Sequence, residues 1–528
     1  MIGQILQNKH LLFIKMLNKL KINNNLFLIA IILIAIFFRF YRLPEFQYWS
    51  VDEGGVYFSA RRIFVLAKPV LLAPSATTVV SMGPLFTYLS ALLFYLTSSN
   101  PVLVLAFGSS VGVIVTLLIF ITAKTLFNVR VGLIAAFLYS SSFLISFFDR
   151  RWWQLSLDPL LVLLAAISIY KISEKKYYYS LPLAIATSFA WNADPSLLVI
   201  LLATFLSFIF LKIPLFKRQY LPAVVWLILS LSPFFISELR HSGSITRPLN
   251  EYTSKIFQAS GKKVESFSLV KISQIIENLN RALFTQPSLH IDDSFFCLSD
   301  YPSSWFSPYS ILIILALLVL SSFLFLSKNK KKYKKSIFIL YLFIISFISG
   351  ILAFSLLTNV EIIQSYFLVI WPVFLILLAV GLDWAIRKKA TFFACSFLIV
   401  VFFLNLYTLI KSDINYSLKT KFKVVDSVID NLKPGDYALY PKGLNYGFEG
   451  GGWDSLFAMR QRPAAWSSFT FMTKWIFQAY SMYPTTPKKE GSLKQRVILL
   501  APDIKDSFES FGYDKDLKIE EIRVLIKN

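Results

Sequence analysis

The chain has 528 residues, of which 56% are hydrophobic and only 16% are charged. Soluble domains usually carry about 25% charged residues, so this composition excludes both a disordered chain and an ordinary soluble enzyme. The net charge of +23 would indicate a nucleic-acid partner in a soluble protein, but here most of the excess lies in residues 1–411, among long apolar runs. Two cysteines and three histidines are too few for a disulfide framework or a histidine-based metal cluster.

Eleven apolar runs approach the length of about 20 residues that a membrane-spanning helix needs. They lie at 26–43, 102–123, 132–148, 155–170, 179–193, 196–212, 221–237, 308–327, 336–357, 365–384 and 390–410. A shorter run at 84–97 has a length more typical of an interfacial helix, and we expect it to lie on the outer membrane surface. The sequence therefore predicts an α-helical polytopic membrane protein with about eleven transmembrane helices.

Lysine and arginine collect in alternate loops between these runs, at 124–130, 171–176, 212–218, 328–335 and 387–389. By the positive-inside rule these loops, with the basic N-terminus, face the cytoplasm. This assignment explains the basic charge without nucleic acid. It also predicts that the loops 44–101, 149–154 and 238–307 and the tail from about residue 412 face outward at the plasma membrane.

Three parts of the chain are thus expected: a basic N-terminus (1–25), a transmembrane domain (26–411) and an extracytoplasmic tail (412–528). Within the long outer loop, apolar residues at helical spacing between Leu269 and Leu283 predict an amphipathic helix resting on the bilayer. The tail combines a helical apolar stripe, ended by Pro434-Gly435, with short β-rich runs at 437–440, 497–501 and 519–526. This pattern predicts a small α/β domain.

Two adjacent carboxylates, Asp52 and Glu53, open the first outer loop directly after the first apolar run. At the membrane surface such a pair could supply a general base or a cation ligand. The alternative is structural: Asp52 would cap a helix whose dipole both acids favour.

Two arginines, Arg150 and Arg151, stand in a short outer loop where basic residues are otherwise scarce. Paired guanidinium donors suit phosphate, but beside Trp152 and Trp153 they could equally belong to an interfacial belt. Asp158 lies just inside the next run, where a carboxylate is costly to bury unless it is functional or paired with these arginines. Two further groups are expected to be structural by default: Asp194 at an Asp-Pro turn, and the cluster Glu238, Arg240, Arg247 and Glu251, in which Arg247 could help a phosphate site.

Several short motifs, in order, resemble the GT-C type membrane glycosyltransferases that use polyprenyl-phosphate sugars, a family 39-like group that includes protein O-mannosyltransferases and aminoarabinose transferases. The resemblance covers roughly residues 26–250 and, more loosely, 366–383. The segments that carry it are Val51-Asp-Glu-Gly-Gly-Val-Tyr57, Gly83-Pro-Leu85, Lys124-Thr-Leu-Phe127, Arg130-Val-Gly-Leu-Ile-Ala-Ala136, Arg151-Trp-Trp-Gln154, Glu238-Leu-Arg-His241 and Thr246-Arg247.

This resemblance implies inverting sugar transfer at the outer face, from a polyprenyl-phosphate donor to a hydroxyl of a protein or glycolipid. It assigns the base to Asp52, with support from Glu53. The developing phosphate charge needs nearby cations, for which Arg150 and Arg151 are best placed and to which Arg247 could contribute, and Asp158 and Tyr57 are candidate supporting residues. The chemistry agrees, because a phosphate leaving group needs one base and nearby cations rather than a second acid.

The chain also departs from the family pattern. The lysine that the aminoarabinose branch has before Pro-Leu is absent at Ser81-Met-Gly83, and Asp194-Pro195 replaces a His-Pro pair. Lipid A as the acceptor is therefore doubtful, and a divalent cation stays an open cofactor without a His/Cys site to hold it. The competing hypotheses are a transporter or flippase of lipid-linked sugars, and a non-catalytic scaffold that presents the tail.

Overall fold

The structure is a computed structural model that describes residues 24–47, 49–73, 81–251, 254, 269–287, 314, 318, 331–358, 362–414, 416–443, 449, 451–468, 490–502, 504 and 512–528. The expected basic N-terminus, the apolar run 308–327 and most of the long loop 238–307 lie outside these residues.

In the described part of the chain, α-helices form the first four-fifths and a sheet forms the end. The helices are α1 (Asn24–Phe40), α2 (Val51–Phe64), α3 (Leu85–Leu96), α4 (Pro101–Leu126), α5 (Val129–Ser141), α6 (Phe143–Asp149), α7 (Asp158–Ser173), α8 (Ser180–Ser188), α9 (Leu198–Phe210), α10 (Leu221–Arg240), α11 (Leu269–Phe284), α12 (Lys331–Thr358), α13 (Trp371–Arg387), α14 (Thr391–Lys411), α15 (Leu418–Asn431) and α16 (Trp453–Met459). The strands are β1 (Tyr437–Lys442), β2 (Trp466–Ser467), β3 (Gln495–Leu500), β4 (Lys515–Ile519) and β5 (Ile522–Lys527).

Among the described residues, five helical segments are long and apolar enough to span a membrane by themselves: Pro101–Leu126, Gln154–Ser173, Arg218–Arg240, Tyr333–Ala353 and Thr391–Lys411. A sixth is the pair α5 and α6, bent by 73°, and three apolar helices are shorter, at Asn24–Phe40, Leu85–Leu96 and Pro195–Phe210. The run 179–193 contains only the nine-residue helix α8. The protein is a multi-pass α-helical membrane protein with a C-terminal sheet domain, as the apolar runs predicted.

The bend between α5 and α6 fixes where the following loop leaves the bundle. Ser142 caps α6 by accepting a hydrogen bond from the Ile145 amide. At the other end of α6, the buried Asp149 carboxylate accepts hydrogen bonds from Tyr139 and from Arg39, whose guanidinium lies 2.6 Å away. Paired in this way, the two buried charges hold α6 against α1, and the next residues emerge beside the first loop.

The basic loops and the Asp52 region lie at opposite ends of the bundle. Ser336, directly after the basic segment 328–335, donates a hydrogen bond to the Leu126 carbonyl at the C-terminus of α4. In the N-terminal half of the same helix, Gly108 packs against the carbonyl of Arg151. A Cβ added to Gly108 would lie only 2.5 Å from that carbonyl oxygen. Between Gly108 and Leu126 the helix rises about 27 Å, so these two contacts are separated by nearly the thickness of a bilayer's hydrocarbon core.

The amphipathic helix α11 is where the periodicity placed it, but its environment differs from the expectation. Ser142 donates a hydrogen bond to the Ala282 carbonyl and Asn405 donates one to the Leu283 carbonyl. Ala282, Leu283 and Phe284 are buried. The C-terminal end of α11 is therefore packed inside the bundle rather than resting on the bilayer, because its last apolar turn contacts α6 and α14.

The tail forms a five-stranded sheet in the order β2-β1-β3-β5-β4. β1 runs parallel to β2 and β3, whereas β5 is antiparallel to β3 and β4. Helices α15 and α16 pack on this sheet and also contact the start of α2, so the tail is joined to the membrane domain next to Asp52.

Candidate active site

Helix α2 begins with a capping box that separates the roles of the two adjacent carboxylates. Ser50 is the N-cap, and its hydroxyl accepts a hydrogen bond from the Asp52 amide. Glu53 completes the box by accepting hydrogen bonds from the Ser50 amide and hydroxyl at 3.0 and 2.6 Å. The structural alternative for Asp52, that it caps the helix, is therefore wrong: Ser50 performs that task with Glu53.

Glu53 is completely buried and fully engaged. Besides the two bonds from Ser50, its second carboxylate oxygen lies 2.5 Å from Arg151 Nε. Burial raises the pKa of Glu53, but Arg151 and Ser50 outweigh it and hold the pKa below its ordinary value. Glu53 is thus an ionised structural residue with no oxygen left to accept a proton from a substrate.

Asp52 differs, because its side chain keeps 38% of its surface exposed and its carboxylate contacts Arg151 Nη2 at 3.2 Å. The surrounding protein raises the pKa of Asp52 by desolvation, Arg151 opposes this rise, and Glu53 and Asp194 add to it. An accessible carboxylate with a raised pKa is what general-base chemistry near neutral pH requires.

The two neighbouring arginines point in different directions. Arg151 bridges Asp52, Glu53 and Ser50, and its guanidinium carbon lies 3.8 Å from the centre of the Trp153 ring. Arg150 is completely buried and donates hydrogen bonds to the carbonyls of Phe46 at 3.0 Å and Phe38 at 2.6 Å. The structure therefore brings Arg151 to the site, whereas Arg150 holds the first loop against α1 and does not reach the cleft.

A second acid pair lies close to the first. Ser196 donates a hydrogen bond from its hydroxyl to Asp158 at 2.7 Å, and its amide donates one to Asp194 at 2.8 Å. Asp158 is buried, and its other carboxylate oxygen has no hydrogen-bond partner among the described residues. Desolvation raises the pKa of Asp194, which is near enough to influence Asp52. Asp194 makes the turn that the sequence indicated, and it also brings a carboxylate to the site.

An apolar groove of about 530 Å³ opens at this second acid pair and runs between α9 and α12. Asp194 and Ser196 form its polar end, and Tyr366 and Ser346 also line it. The remaining wall is apolar and lies among membrane-spanning elements: Leu198, Val199, Leu201, Leu202, Phe205, Phe347, Gly350 and Ile351. The groove therefore combines an apolar wall with a polar end at Asp194, whose charge is near enough to influence Asp52.

Two other predicted residues lie apart from this arrangement in the described structure. Tyr57 is buried on α2, with its ring 5.2 Å from that of Phe94, and burial raises its pKa. Arg247 is exposed and its side chain lies over Gly243, beside a turn in which Glu238 accepts hydrogen bonds from the Gly243 and Ile245 amides. In the described structure the contact given for Tyr57 runs to Phe94, and that for Arg247 stays within its own turn.

Sequence reasoning missed Ser50, the approach of Asp194, and the contacts of the tail. Only the first had a local signal, because Ser-Val-Asp-Glu matches the capping-box pattern of Ser followed three residues later by Glu. Within the described residues, no three His, Cys, Asp or Glu side chains come together as a metal-binding group.

Comparison with known proteins relates the chain to others by structure rather than by sequence. No family model and no curated protein sequence matches it. ArnT from Cupriavidus metallidurans bound to undecaprenyl phosphate superposes with a TM-score of 0.53 at 10% identity, over 95% of this chain and 97% of that one. The apo form gives a TM-score of 0.52 at 12% identity, over the same shares of the two chains.

A more distant match is the oligosaccharyltransferase AglB from Archaeoglobus fulgidus, in complex with an inhibitory peptide and a dolichol-phosphate. Its TM-score is 0.45 at 13% identity, over 90% of this chain and 69% of that one. The match to ArnT extends over nearly the whole of both chains and shows that this protein has the GT-C type fold, including the C-terminal sheet domain, that the sequence resemblance implied.

Proposed function

We propose that this chain, which has the fold of ArnT, is an inverting glycosyltransferase that moves a sugar from a polyprenyl-phosphate donor to an acceptor hydroxyl at the outer face of the membrane. The observation that carries the proposal is the accessible Asp52 carboxylate, held by Arg151 at 3.2 Å while the adjacent Glu53 is buried. Of the two carboxylates in the segment Val51–Tyr57, Asp52 is therefore the one that a substrate can reach.

The apolar groove supports a lipid-linked donor. Its wall is formed by side chains of α9 and α12. Its polar end is formed by Asp194 and Ser196, and Asp194 is near enough to influence Asp52. A polyprenyl chain in the groove would bring its phosphate and sugar to the surface near Asp52. ArnT was solved with undecaprenyl phosphate, a lipid of this class.

The proposed reaction uses Asp52 as the base. Its carboxylate takes the proton from the acceptor hydroxyl as the oxygen attacks the anomeric carbon on the face opposite the phosphate. The bond between that carbon and the phosphate oxygen breaks, and polyprenyl phosphate leaves with the electron pair. The configuration therefore inverts, and Arg151 orients the base and supplies positive charge beside the developing phosphate.

The distribution of basic residues supports a site at the outer face of the membrane. Lys335 and Ser336 lie at the end of the bundle opposite Arg151 and Asp52. The positive-inside rule assigns the basic end to the cytoplasm, so the site and the tail would face outward.

The first prediction concerns Asp52→Asn in purified protein reconstituted into vesicles with labelled polyprenyl-phosphate sugars. Transfer of label should fall at least about a hundredfold, because the amide cannot accept the acceptor proton, while binding of donor should persist. The control is Glu174→Gln, an exposed carboxylate that pairs with Lys335 away from the site and should leave turnover unchanged.

Unchanged turnover in Asp52→Asn would refute the assignment of the base. A wild-type protein that moves labelled donor across the vesicle membrane without forming product, at a rate independent of Asp52, would instead establish the flippase hypothesis.

A further inference from the structure

The tail is bonded to the segment that carries the proposed base. Two backbone hydrogen bonds start the contact: the Leu418 amide donates to the Gln47 carbonyl at 2.7 Å, and the Lys419 amide donates to the Pro44 carbonyl at 3.0 Å. The first turn of α15 therefore pairs with the stretch that leads into α2. A catalytic role for this contact rests on the proposed function, because the contact affects how Asp52 is held.

Lys421, on the buried side of α15, makes the central contact. Only 1% of this residue is exposed, and its ammonium donates to the Trp49 carbonyl at 2.6 Å and to the Gly451 carbonyl at 2.8 Å. The same ammonium lies 5.3 Å from the centre of the Trp453 ring. A buried lysine is costly unless its charge is compensated, so these partners account for its position.

A second set of contacts comes from the start of α16. Trp49 is completely buried and donates a hydrogen bond from its indole to the Ser455 hydroxyl at 2.9 Å. Gly452 has a φ of +69°, and a Cβ there would lie 2.5 Å from the Ser50 carbonyl oxygen. On α2, a Cβ at Gly54 would lie 3.0 Å from the Ser455 hydroxyl. Two glycines thus permit the tail and the base-bearing helix to approach closely.

The start of α2 needs such support. Gly54 and Gly55 follow the carboxylates directly, and glycine costs a helix up to about 1 kcal/mol per residue relative to alanine. From the membrane side, Arg151 holds Ser50, Asp52 and Glu53. From the other side, the tail holds the residue just before the cap.

We infer that the tail is a fixed wall of the active site and that Lys421 is a positioning residue for Asp52. Lys421 does not touch the reacting atoms. It fixes the Trp49 carbonyl, and through Trp49 the cap Ser50 and the direction in which the first turn of α2 presents Asp52.

The first experiment compares Lys421→Met with Lys423→Met in the full-length protein. Lys423 lies on the same helix, but its side chain is 52% exposed and it pairs with Glu520, so it is the matched control. In Lys421→Met, the buried carbonyls of Trp49 and Gly451 lose their hydrogen-bond donor. The first turn of α2 is then no longer held in the position that presents Asp52. We expect kcat for transfer to fall about tenfold to a hundredfold with little change in KM for the donor, since a displacement of about 1 Å has effects of this size.

The pH profile separates positioning from a loss of folded protein. A loosened wall admits water to Asp52, so the pKa of Asp52 should fall toward its ordinary value and the acid limb of kcat should move to lower pH. Lower turnover with an unmoved acid limb, or an equal effect of Lys423→Met, would overturn the assignment of Lys421.

The second experiment tests the wall itself with Gly54→Cys and Ser455→Cys, in a chain whose two natural cysteines are replaced by serine. The Cβ positions are 3.4 Å apart, near the lower end of the range of about 3.5–4.5 Å for disulfides. We expect the disulfide to form in membranes, and its oxidised and reduced forms to transfer sugar at the same rate.

Loss of transfer on oxidation, with recovery on reduction, would show that the tail has to move away during turnover and would overturn the fixed wall, as would failure to form the disulfide. Disulfide formation is read on a gel without any activity. Disulfide formation together with a wild-type protein that transfers no sugar would therefore contradict the proposed function while leaving the docking of the tail intact.

Discussion

At the scale of single residues, the two adjacent carboxylates show how environment assigns different tasks to similar groups. Glu53 has its oxygens occupied by Ser50 and Arg151, and its pKa is below the ordinary value despite burial. Asp52 keeps an exposed face and has a raised pKa. The two residues are one position apart on α2, so Glu53 is buried in the protein while Asp52 remains exposed. This difference decides which carboxylate is available to a substrate.

A prediction at this scale concerns the pH dependence of transfer in Arg151→Met and Glu53→Gln. Under the proposed mechanism transfer requires ionised Asp52, so activity should appear as pH rises through its pKa. Arg151 lowers that pKa and Glu53 raises it. Removing the arginine should therefore move the acid limb of kcat/KM to higher pH, and removing the glutamate charge should move it to lower pH.

The two shifts are to be measured between about pH 4 and 9, with the Glu174→Gln protein as a reference whose profile should match wild type. Shifts in the same direction for both variants would contradict the assignment of the limb to Asp52.

At the scale of elements, the short helix α16 is tied to the sheet by a buried acid. Asp454, in the first turn of α16, accepts a hydrogen bond from the Ser467 hydroxyl on β2 at 3.1 Å. Its other carboxylate oxygen has no hydrogen-bond partner within the described residues. Burial raises the pKa of Asp454 to about 7. The protonated side chain thus fits the fold best, and α16 in turn carries Ser455 toward Trp49.

This predicts a stability difference for Asp454→Asn that depends on pH. Because the folded pKa is raised, the stability linked to Asp454 is fully present below its ordinary pKa and is lost as pH rises through about 7. Asparagine does not ionise. The wild type loses about 1.4 kcal/mol per pH unit between pH 5 and pH 7, so from pH 5 to pH 8 the free energy of unfolding of the variant should rise by about 3 kcal/mol relative to the wild type.

The measurement is thermal unfolding of the full-length protein in detergent at both pH values. Asp430→Asn, at an exposed position on α15, serves as the control and should show the same difference from wild type at pH 5 and pH 8. A gain for Asp454→Asn that does not grow with pH would contradict the account.

At the scale of the whole molecule, three regions far apart in sequence meet at one end of the bundle. The first loop supplies Asp52, the loop after α6 supplies Arg151, and the tail supplies Lys421. The apolar groove reaches the same place from the membrane, between α9 and α12. Under the proposed function, a lipid-linked donor and an acceptor would reach one carboxylate from different directions.

The groove is tested by Gly350→Leu. Gly350 lies on α12 and lines the groove, and a Cβ added there meets no atom within 4 Å, so a larger side chain fills the groove without straining the fold. We expect KM for a long-chain polyprenyl-phosphate sugar to rise about tenfold, which corresponds to about 1.4 kcal/mol of lost binding. A donor with a short prenyl chain should be affected much less.

The control is Gly491→Leu, a glycine of the tail that also has open space around it. It should leave both donors unaffected. An equal rise in KM for the long and short donors would place the lipid chain elsewhere.

Sequence patterns alone were enough to establish the membrane character of the protein and the α/β nature of its tail, and they singled out the pair of carboxylates that forms the candidate site. Each of these depends on local properties: apolar run length, charge per loop and short motifs, which act whatever the rest of the chain does. The same reasoning could also have found the Ser50 cap, whose partner lies three residues away.

Only the tertiary structure decided which of these residues act together. Arg150 and Arg151 are adjacent and equivalent in sequence, yet one bonds to carbonyls of Phe38 and Phe46 and the other to Asp52 and Glu53. Lys421 reaches Trp49 across 372 positions of the chain. Such partners are set by the packing of whole helices, because a side chain's burial and charge environment depend on elements that no local pattern specifies.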